Sequence, residues 1–551
     1  EFRRVLFRSK TILAVLCLST NVWAQSSKDI ASIKIEQPSV QKQGDPYLHI
    51  MSVTIDGRVT KVDFLYKTND ASITMIPEQP HKYLQIVDED GNVYKGVKSS
   101  SQQYRGYVQP GREQWFAVAF EKIPFDVISF DLVENESGVP GLYHLPKWNF
   151  INVRLKTDAQ LRAELNRLKQ EADGGDADAA YDLAMKYRKG KGVAKDEAIA
   201  LKYLQTSAEN GNNAAKYAVA IAMLDGTLPA DPEKTYTYML QLAMGGQADA
   251  QYYMSRFCEE GYGTPKNEEA AQNWLSASAE NGNPYGQYLL GSKAYSNGSY
   301  DKAFEWFQKA AMQGHVVAQC DLGSLYYWGR GTAKNNNKAF EWFQYSADNG
   351  YGWGQRWLGH MFHYGYGTSK DRDEALKWYR KALATTSNKE QKSTVYNDMG
   401  NLYYQKEYEG GASYDIAQAV QCYTQAAELN NPYACCSLGR LYKTGNGVLK
   451  NPAKAKELFE KSAGLGNSEA QYELGLLCKE KTDLPGAYKW MKQSAENGYT
   501  QAQYELGLMY YYGKGTVKNT KSAAQWMEKS FEAGNEEAKK VWNGLQLWKY
   551  K

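Results

Sequence analysis

The sequence predicts an α+β multidomain protein, in which an N-terminal antiparallel β-sandwich precedes an all-α array of about ten helix-pair repeats. Three observations carry this expectation. Apolar residues alternate with period two between about residues 30 and 155. From residue 176 onward a glycine returns at Gly211, Gly246, Gly282, Gly314 and Gly350, then at Gly466, Gly498 and Gly534, mostly in steps of 32 to 36 residues. Between those glycines, Ala318, Leu322, Leu325 and Tyr326 fall at i, i+4, i+7 and i+8, which is one face of a helix, and Ala502, Leu506, Met509 and Tyr510 repeat it. A chain of 551 residues with 43% hydrophobic residues is too long for one core, so several cooperative units are expected.

Residues 1–24 read as a signal peptide. The apolar run Thr11 to Leu18 follows Lys10, and Val22-Trp23-Ala24 places small residues before Gln25, where a signal peptidase cuts. Residues 1–9, which open on Glu-Phe, read as a cloning or assembly remnant. The run is too short to span a bilayer, and no later segment reaches the ~20 apolar residues of a membrane helix. Export to the periplasm, the cell envelope or the medium is the expected localisation, with no integral membrane segment. The chain carries 65 Lys+Arg against 62 Asp+Glu, but Arg3, Arg4, Arg8, Lys10 and Glu1 lie in the leader, which leaves 61 of each. A neutral chain without a basic run does not suit nucleic acid, whose phosphates require concentrated positive charge. Cys17 lies in the leader; Cys258, Cys320, Cys422, Cys435, Cys436 and Cys478 follow at no regular spacing, which is the pattern of small buried residues rather than a disulfide framework.

Within residues 30–155, Met51, Val53 and Ile55 alternate with Ser52 and Thr54, and Val62, Phe64 and Tyr66 repeat the pattern after Asp56-Gly57, as in a hairpin. Phe116, Val118 and Phe120, then Ile128, Phe130 and Leu132, then Trp148, Phe150 and Val153 supply further strands, so the module has the general pattern of an Ig-like sandwich. Asp88 to Asn92 begins like a calcium loop but lacks its later ligands, and reads as a hairpin tip.

Thr157-Asp158 caps a helix carrying Leu161, Leu165 and Leu168, so residues 156–175 form a capping helix and linker. The repeats occupy residues 176–538, and residues 539–551 form a C-terminal capping helix. Gly190-Lys-Gly192, Gly261-Tyr-Gly263, Gly329-Arg-Gly331, Gly365-Tyr-Gly367, Gly445-Asn-Gly447 and Gly513-Lys-Gly515 each end a helix; a nucleotide loop would instead follow a strand and open one. Gly323, Gly359, Gly439, Gly475 and Gly507 lie inside the first helix of their repeats, where glycine costs about 1 kcal/mol against alanine, so a close helix contact is expected there. One slot of the second helix holds Trp274, Trp306, Trp342, Trp378, Trp490 and Trp526, and its helical spacing from Ala303, Ala339 and Ala375 assigns it to the inter-helix core.

The stretch Ala318-Gln-Cys-Asp-Leu-Gly-Ser-Leu-Tyr-Tyr-Trp-Gly-Arg-Gly-Thr332, with Lys338-Ala-Phe-Glu-Trp-Phe343 and Ser346-Ala-Asp-Asn-Gly350, resembles the Sel-one-like repeat. The resemblance implies a right-handed superhelix of antiparallel helix pairs related to tetratricopeptide arrays, an adaptor or scaffold role, and a ligand groove on the wall made by the first helices. Some exported relatives staple each repeat with a regularly spaced cysteine pair, which this chain lacks.

Relatives of that kind have been associated with penicillin binding, so serine-acylase motifs bear on function. Ser299-Tyr-Asp-Lys302 and Lys443-Thr-Gly445 match fragments of such a motif, but they fall about four repeats apart, at a turn and at a helix end, with no S-D-N. His360 and His363 share a helix face, yet no spaced acid or cysteine supplies a third ligand, so they read as groove residues and not as a metal site. No cofactor is implied, and the chain is read as a non-enzyme. Counting from the core alanine slot, a second stripe at offsets 2, 6 and 9 runs through the first helices and changes chemistry from repeat to repeat. Tyr327, Arg356, His360, His363, Asn401, Tyr404, Arg440 and Lys443 are the partner-binding candidates it contains, and tyrosine and arginine are the types that dominate hot spots. The expected function is an exported protein-interaction scaffold binding a protein or peptide in this groove. The alternative is an envelope enzyme or glycan-binding protein acting through the β-rich module, which leaves a glycan contact open.

Overall fold

The computed structural model describes residues 158–405 and 415–550 throughout, and before them the backbone of extended segments between residues 32 and 154. The signal-peptide reading of residues 1–24 and the loop 89–92 lie outside the described residues.

Helix α1 (Asp158–Asp173) precedes ten helix pairs among the described residues. These are α2 (Ala177–Lys189) with α3 (Glu197–Glu209), α4 (Asn213–Asp225) with α5 (Pro232–Met244), α6 (Ala248–Glu260) with α7 (Glu268–Glu280), α8 (Pro284–Ser296) with α9 (Tyr300–Met312), and α10 (Val316–Trp328) with α11 (Asn336–Asp348). Then come α12 (Gly352–Tyr364) with α13 (Arg372–Thr385), α14 (Lys389–Tyr404) with α15 (Ile416–Glu428), α16 (Pro432–Thr444) with α17 (Pro452–Gly464), α18 (Ser468–Glu480) with α19 (Leu484–Glu496), and α20 (Thr500–Tyr512) with α21 (Thr520–Glu532). The short α22 (Glu536–Gly544) and a single 3₁₀ turn (Leu547–Tyr550) follow the last pair. The chain divides into two compact units, residues 1–246 with 256–268, and residues 247–255 with 269–551.

In the first unit, extended segments from Ser32–Glu36 to Phe150–Arg154 join edge to edge in one order of nine strands, each pair antiparallel, with Val53 opposite Val62. A sandwich needs two sheets stacked face to face, and one continuous hydrogen-bonded order is not that arrangement. The expectation of an N-terminal Ig-like β-sandwich is therefore corrected, and the fold class is that of a helical repeat solenoid. Period-two alternation reports which side of a strand is apolar; it does not report how many sheets the strands form.

The helix boundaries follow from short polar residues. Asp231, Asn335, Asn451 and Asn519 each open a second helix, their side chains accepting the backbone N–H of Lys234, Lys338, Lys454 and Ser522 at 2.9–3.0 Å. Asn283, Asn431 and Asn467 cap first helices in the same way. Such caps satisfy amides that the helix leaves unbonded. Helix α10 departs from the pattern, since His315 Nδ1 accepts the Ala318 N–H at 3.2 Å.

Packing accounts for the glycines. A Cβ on Gly323 would lie 2.8 Å from the Phe343 ring, so the first helix can approach the second only with hydrogen at that position. The second glycine of the turn locks adjacent repeats: Gly331 has φ 66°, and a Cβ there would collide with the Tyr300 carbonyl. Gly331→Ala should therefore destabilise its repeat by at least about 2 kcal/mol, combining left-handed strain with overpacking. A denaturant melt checks this, and an unchanged midpoint would refute it.

The tryptophan slot sits at the rim of the core. Trp342, Trp490 and Trp526 are half-buried and pack against core clusters, Trp274 and Trp306 are half-buried as well, and Trp378 is buried. The residue after the slot fills the centre: Phe307, Phe343, Tyr379, Met491 and Met527 are all buried. Lysine ammonium groups lie over four of the indoles, Lys309 over Trp306 at 4.2 Å, Lys381 over Trp378 at 3.9 Å, Lys529 over Trp526 at 4.4 Å and Lys489 over Trp490 at 5.9 Å.

Two polar ladders run through the apolar interior. Ser278, Ser346, Ser462, Ser494 and Ser530 donate to the carbonyl of the residue that opens the first helix of the same pair, at 2.6–2.8 Å. Gln287, Gln319, Gln355, Gln471 and Gln503 donate to a carbonyl near the end of the preceding second helix, at 3.1–3.4 Å. Buried amides and hydroxyls are tolerated only when bonded in this way.

Candidate partner-binding face

Neighbouring first helices of the second unit touch side by side, α10 with α12, α12 with α14 and α14 with α16. That contact consumes much of the expected groove stripe. Cys320, Tyr327, His363, Asn397 and Cys436 are buried, His363 to within 1% of full burial. Tyr327 and His363 are therefore corrected from groove residues to inter-helix packing. Tyr327 lies against His360, its hydroxyl 3.4 Å from the His360 Nε2, and His363 Nδ1 is 3.4 Å from the Tyr379 hydroxyl.

The charged candidates are bound to neighbours. Arg356 Nε donates to Asp398 at 2.6 Å, with both side chains about nine-tenths buried, and its guanidinium lies 4.9 Å over Trp353 and 5.0 Å over Trp357. Burial pushes the Asp398 carboxyl up even beside that guanidinium. Arg440 pairs with Glu469, and Lys443 with Glu473 at 2.9 Å. Asn401 accepts the Tyr423 hydroxyl at 2.8 Å. Tyr404 remains exposed.

What stays open on the first helices lies one residue round, at offsets −1, 3, 6 and 10 from the alanine slot. On α12 these are Trp353, Trp357, His360 and Tyr364, all partly exposed; on α10 the last is Trp328, 56% exposed; on α8 the first is Tyr285, 47% exposed. Rings of α10 and α12 are in contact: Trp328 meets Tyr327 at 4.8 Å, Trp357 meets Tyr327 at 5.4 Å, Tyr327 meets His360 at 5.9 Å, and His360 meets Tyr364 at 4.6 Å. Burial lowers the pKa of His360 to about 3, helped by the Arg356 charge, so this imidazole is neutral at physiological pH. On α18 and α20 the same face is closed instead by ion pairs. His360, Asn401 and Arg440, all at offset 6, are the sequence candidates that belong to both stripes. The signal for the others was present in the sequence, since offsets −1, 3, 6 and 10 are also helical, but sequence alone does not show which stripe the neighbouring helix covers.

Nothing in this arrangement resembles an acyl-transfer site. Ser299 precedes α9 at a turn, whereas Lys443 is held by Glu473 on a different pair of helices. Among the described residues no three His, Cys, Asp or Glu side chains converge as metal ligands, and the six described cysteines are free thiols. No described helix is long and apolar enough to cross a membrane.

Comparison with known proteins places the repeats. Sel1 repeats are matched ten times, over residues 177–212, 213–247, 248–283, 284–315, 316–351, 354–384, 395–431, 432–467, 468–499 and 500–535. The chain belongs to the Sel1 repeat family. The crystal structure of c5321, a protective antigen of uropathogenic Escherichia coli strains displaying an SLR fold, is similar at TM-score 0.52 and 29% identity, covering 69% of this chain and 83% of that one. That likeness is to a helical solenoid, which agrees with the corrected fold class. An uncharacterized protein of Neisseria meningitidis serogroup B is 32% identical over 179 residues, 31% of this chain and 36% of that protein. The chitin synthase regulator SKT5 of Saccharomyces cerevisiae is 28% identical over 285 residues, 49% of this chain and 40% of that protein. The chain thus spans well under half the length of these two curated relatives. Sel1 repeat proteins act as protein-interaction scaffolds.

Proposed function

We propose that this Sel1 repeat protein is an exported scaffold that receives an extended peptide or a partner's helix on the first helices of the second unit, across α8, α10 and α12. The observation that carries this reading is the aromatic face of Tyr285, Trp328, Trp353, Trp357 and Tyr364. Aromatic rings at a partly desolvated surface offer broad contact area at low entropic cost, which is why they anchor interfaces. The face is also bounded: beyond α16 the same stripe neutralises itself through Arg440–Glu469, Lys443–Glu473 and Lys479–Glu505. Tyr404 and Asn401 extend the face toward α14.

The test uses affinity capture from envelope extract, identification of what is retained, and titration of that purified partner. Tyr285→Ala with Trp328→Ala removes two exposed rings and leaves the core intact, so the melting temperature should hold while affinity falls at least about tenfold. Undiminished affinity would move the site off this face. Export rests on residues 11–24, and N-terminal sequencing of the protein from cell fractions should find Gln25 first in an extracytoplasmic fraction; an uncleaved chain in the cytoplasm would overturn it.

A further inference from the structure

Four acids occupy the offset-3 slot of the first helices in the second unit: Asp321, Asp398, Glu473 and Glu505. Three of them are paired with a cation from the first helix just before, Asp398 with Arg356 at 2.6 Å, Glu473 with Lys443 at 2.9 Å and Glu505 with Lys479 at 2.8 Å. Asp321 breaks the pattern. The positions of α8 that correspond to Arg356 and Lys443 hold Tyr288 and Tyr295. Tyr288 donates its hydroxyl to the Asp321 carboxylate, while Tyr295 is taken by Arg330 at 2.5 Å. The chain's own cations on the flanking first helices are engaged elsewhere, Lys293 with Gln272 and Arg356 with Asp398. No described lysine or arginine forms an ion pair with Asp321.

The surroundings suit a cation. Tyr288 stacks on His315 at 4.6 Å and Tyr285 meets the same imidazole edge-on at 5.0 Å, which makes a wall of ring faces beside the carboxylate. Tyr351 stands close enough that the Asp321 charge adds to burial in raising its hydroxyl pKa. Ring faces and a carboxylate both attract an ammonium or guanidinium, and neither attracts an anion. Left without a cation, the Asp321 carboxyl is pushed by burial to about 6.

We propose that Asp321 is the anchor for a cationic side chain, lysine or arginine, carried by the peptide that this aromatic face receives. This rests on the reading of the face as a peptide site. The bound cation completes at Asp321 the ion pair that the other three acids make within the chain.

The experiment pans a random peptide library against the full chain, its Asp321→Asn variant and its Tyr288→Arg variant at neutral pH, with melting temperatures measured in parallel. Wild type is expected to enrich peptides with a lysine or arginine at one position, and to bind them roughly ten- to a hundredfold more tightly than Asp321→Asn does. Tyr288→Arg supplies the missing cation from within, so it should lose the same peptides, with its melting temperature reporting separately the loss of the ring contacts to His315 and Phe307. Enriched peptides with no basic position, bound equally by Asp321→Asn, would overturn the anchor and leave the peptide face standing. Failure of wild type to enrich any peptide would overturn the reading of the face itself, and the anchor with it.

Discussion

The stability of the second unit should fall steeply as pH drops from about 6.5 toward 4. Three histidines on or beside α10 and α12 are held neutral by burial, His315 and His363 with pKa lowered to about 4 and His360 to about 3, against 6.5 for a free imidazole. The Arg356 charge adds to the effect at His360, and Lys370 acts the same way on His363. For His315 the structure shows a further reason, because the Nδ1 that caps α10 must be an unprotonated acceptor. The folded-state values are depressed, so below 6.5 the unfolded chain takes up protons that the folded chain refuses. Stability is complete above that value and is lost as pH falls. Asp321, raised to about 6, binds a proton in the folded state over much of the same window and cancels one of the three; Asp398, raised by burial, acts in its direction. The net difference is at most about two protons, which corresponds to at most about 3 kcal/mol per pH unit near pH 5. Thermal melts between pH 7.5 and 4.5 check the slope. His315→Asn keeps a cap of the kind found at Asn283 and Asn431 while removing one titrating group, so its melting temperature should fall less steeply than that of wild type. A melting temperature that does not change with pH over this range would remove the basis of the argument.

The second large effect is expected at Phe343, not at its neighbour in the tryptophan slot. Phe343 is fully buried, lies against Gly323 and stacks on Trp357 with ring centroids 5.1 Å apart. Phe343→Ala should cost about 3–5 kcal/mol, because a cavity enclosed by α10, α11 and α12 cannot collapse freely. Trp342→Ala removes a half-buried ring whose lost contacts are partly replaced by water, and should cost less. Denaturant melts of the two variants decide the order, and a larger loss for Trp342→Ala would reverse the assignment of the core. Local opening is the form the damage should take, since each repeat touches only its neighbours. Hydrogen exchange should therefore show the loss first in the repeats on either side of Phe343.

These two cases show what was legible in the sequence. Period, helix pairing and turn glycines were readable because each depends on one residue and its immediate geometry, as Gly331 and Asn335 do. The core was readable to within one residue: Trp342 and Phe343 are adjacent and both aromatic, and only the approach of α10 decides which points inward. The same small rotation decided which residues of the expected groove stripe are buried. Offsets 2, 6 and 9 and offsets −1, 3, 6 and 10 are equally good helical faces, and the choice between them is made by the neighbouring first helix, which buries Tyr327 and His363 and leaves Trp328 outside. The sandwich failed for a different reason, since strand alternation is local and sheet order is not.

The glutamine ladder bears on how an array of this kind changes its length. Gln287, Gln319 and Gln355 each reach back eight residues, to the carbonyls of Ala279, Ala311 and Ala347. Because the donor and acceptor of every rung straddle a repeat junction at the same separation, deleting residues 316–351 brings Gln355 to the Ala311 carbonyl and restores the rung at the new joint. Duplicating the same segment adds a rung without stranding a donor. Copy number can therefore drift through unequal recombination in the gene while each junction keeps its buried bond, provided that whole repeats are gained or lost. Pair α16–α17 already tolerates a substitute, with the Cys435 thiol 3.9 Å from the Ala427 carbonyl in place of the amide.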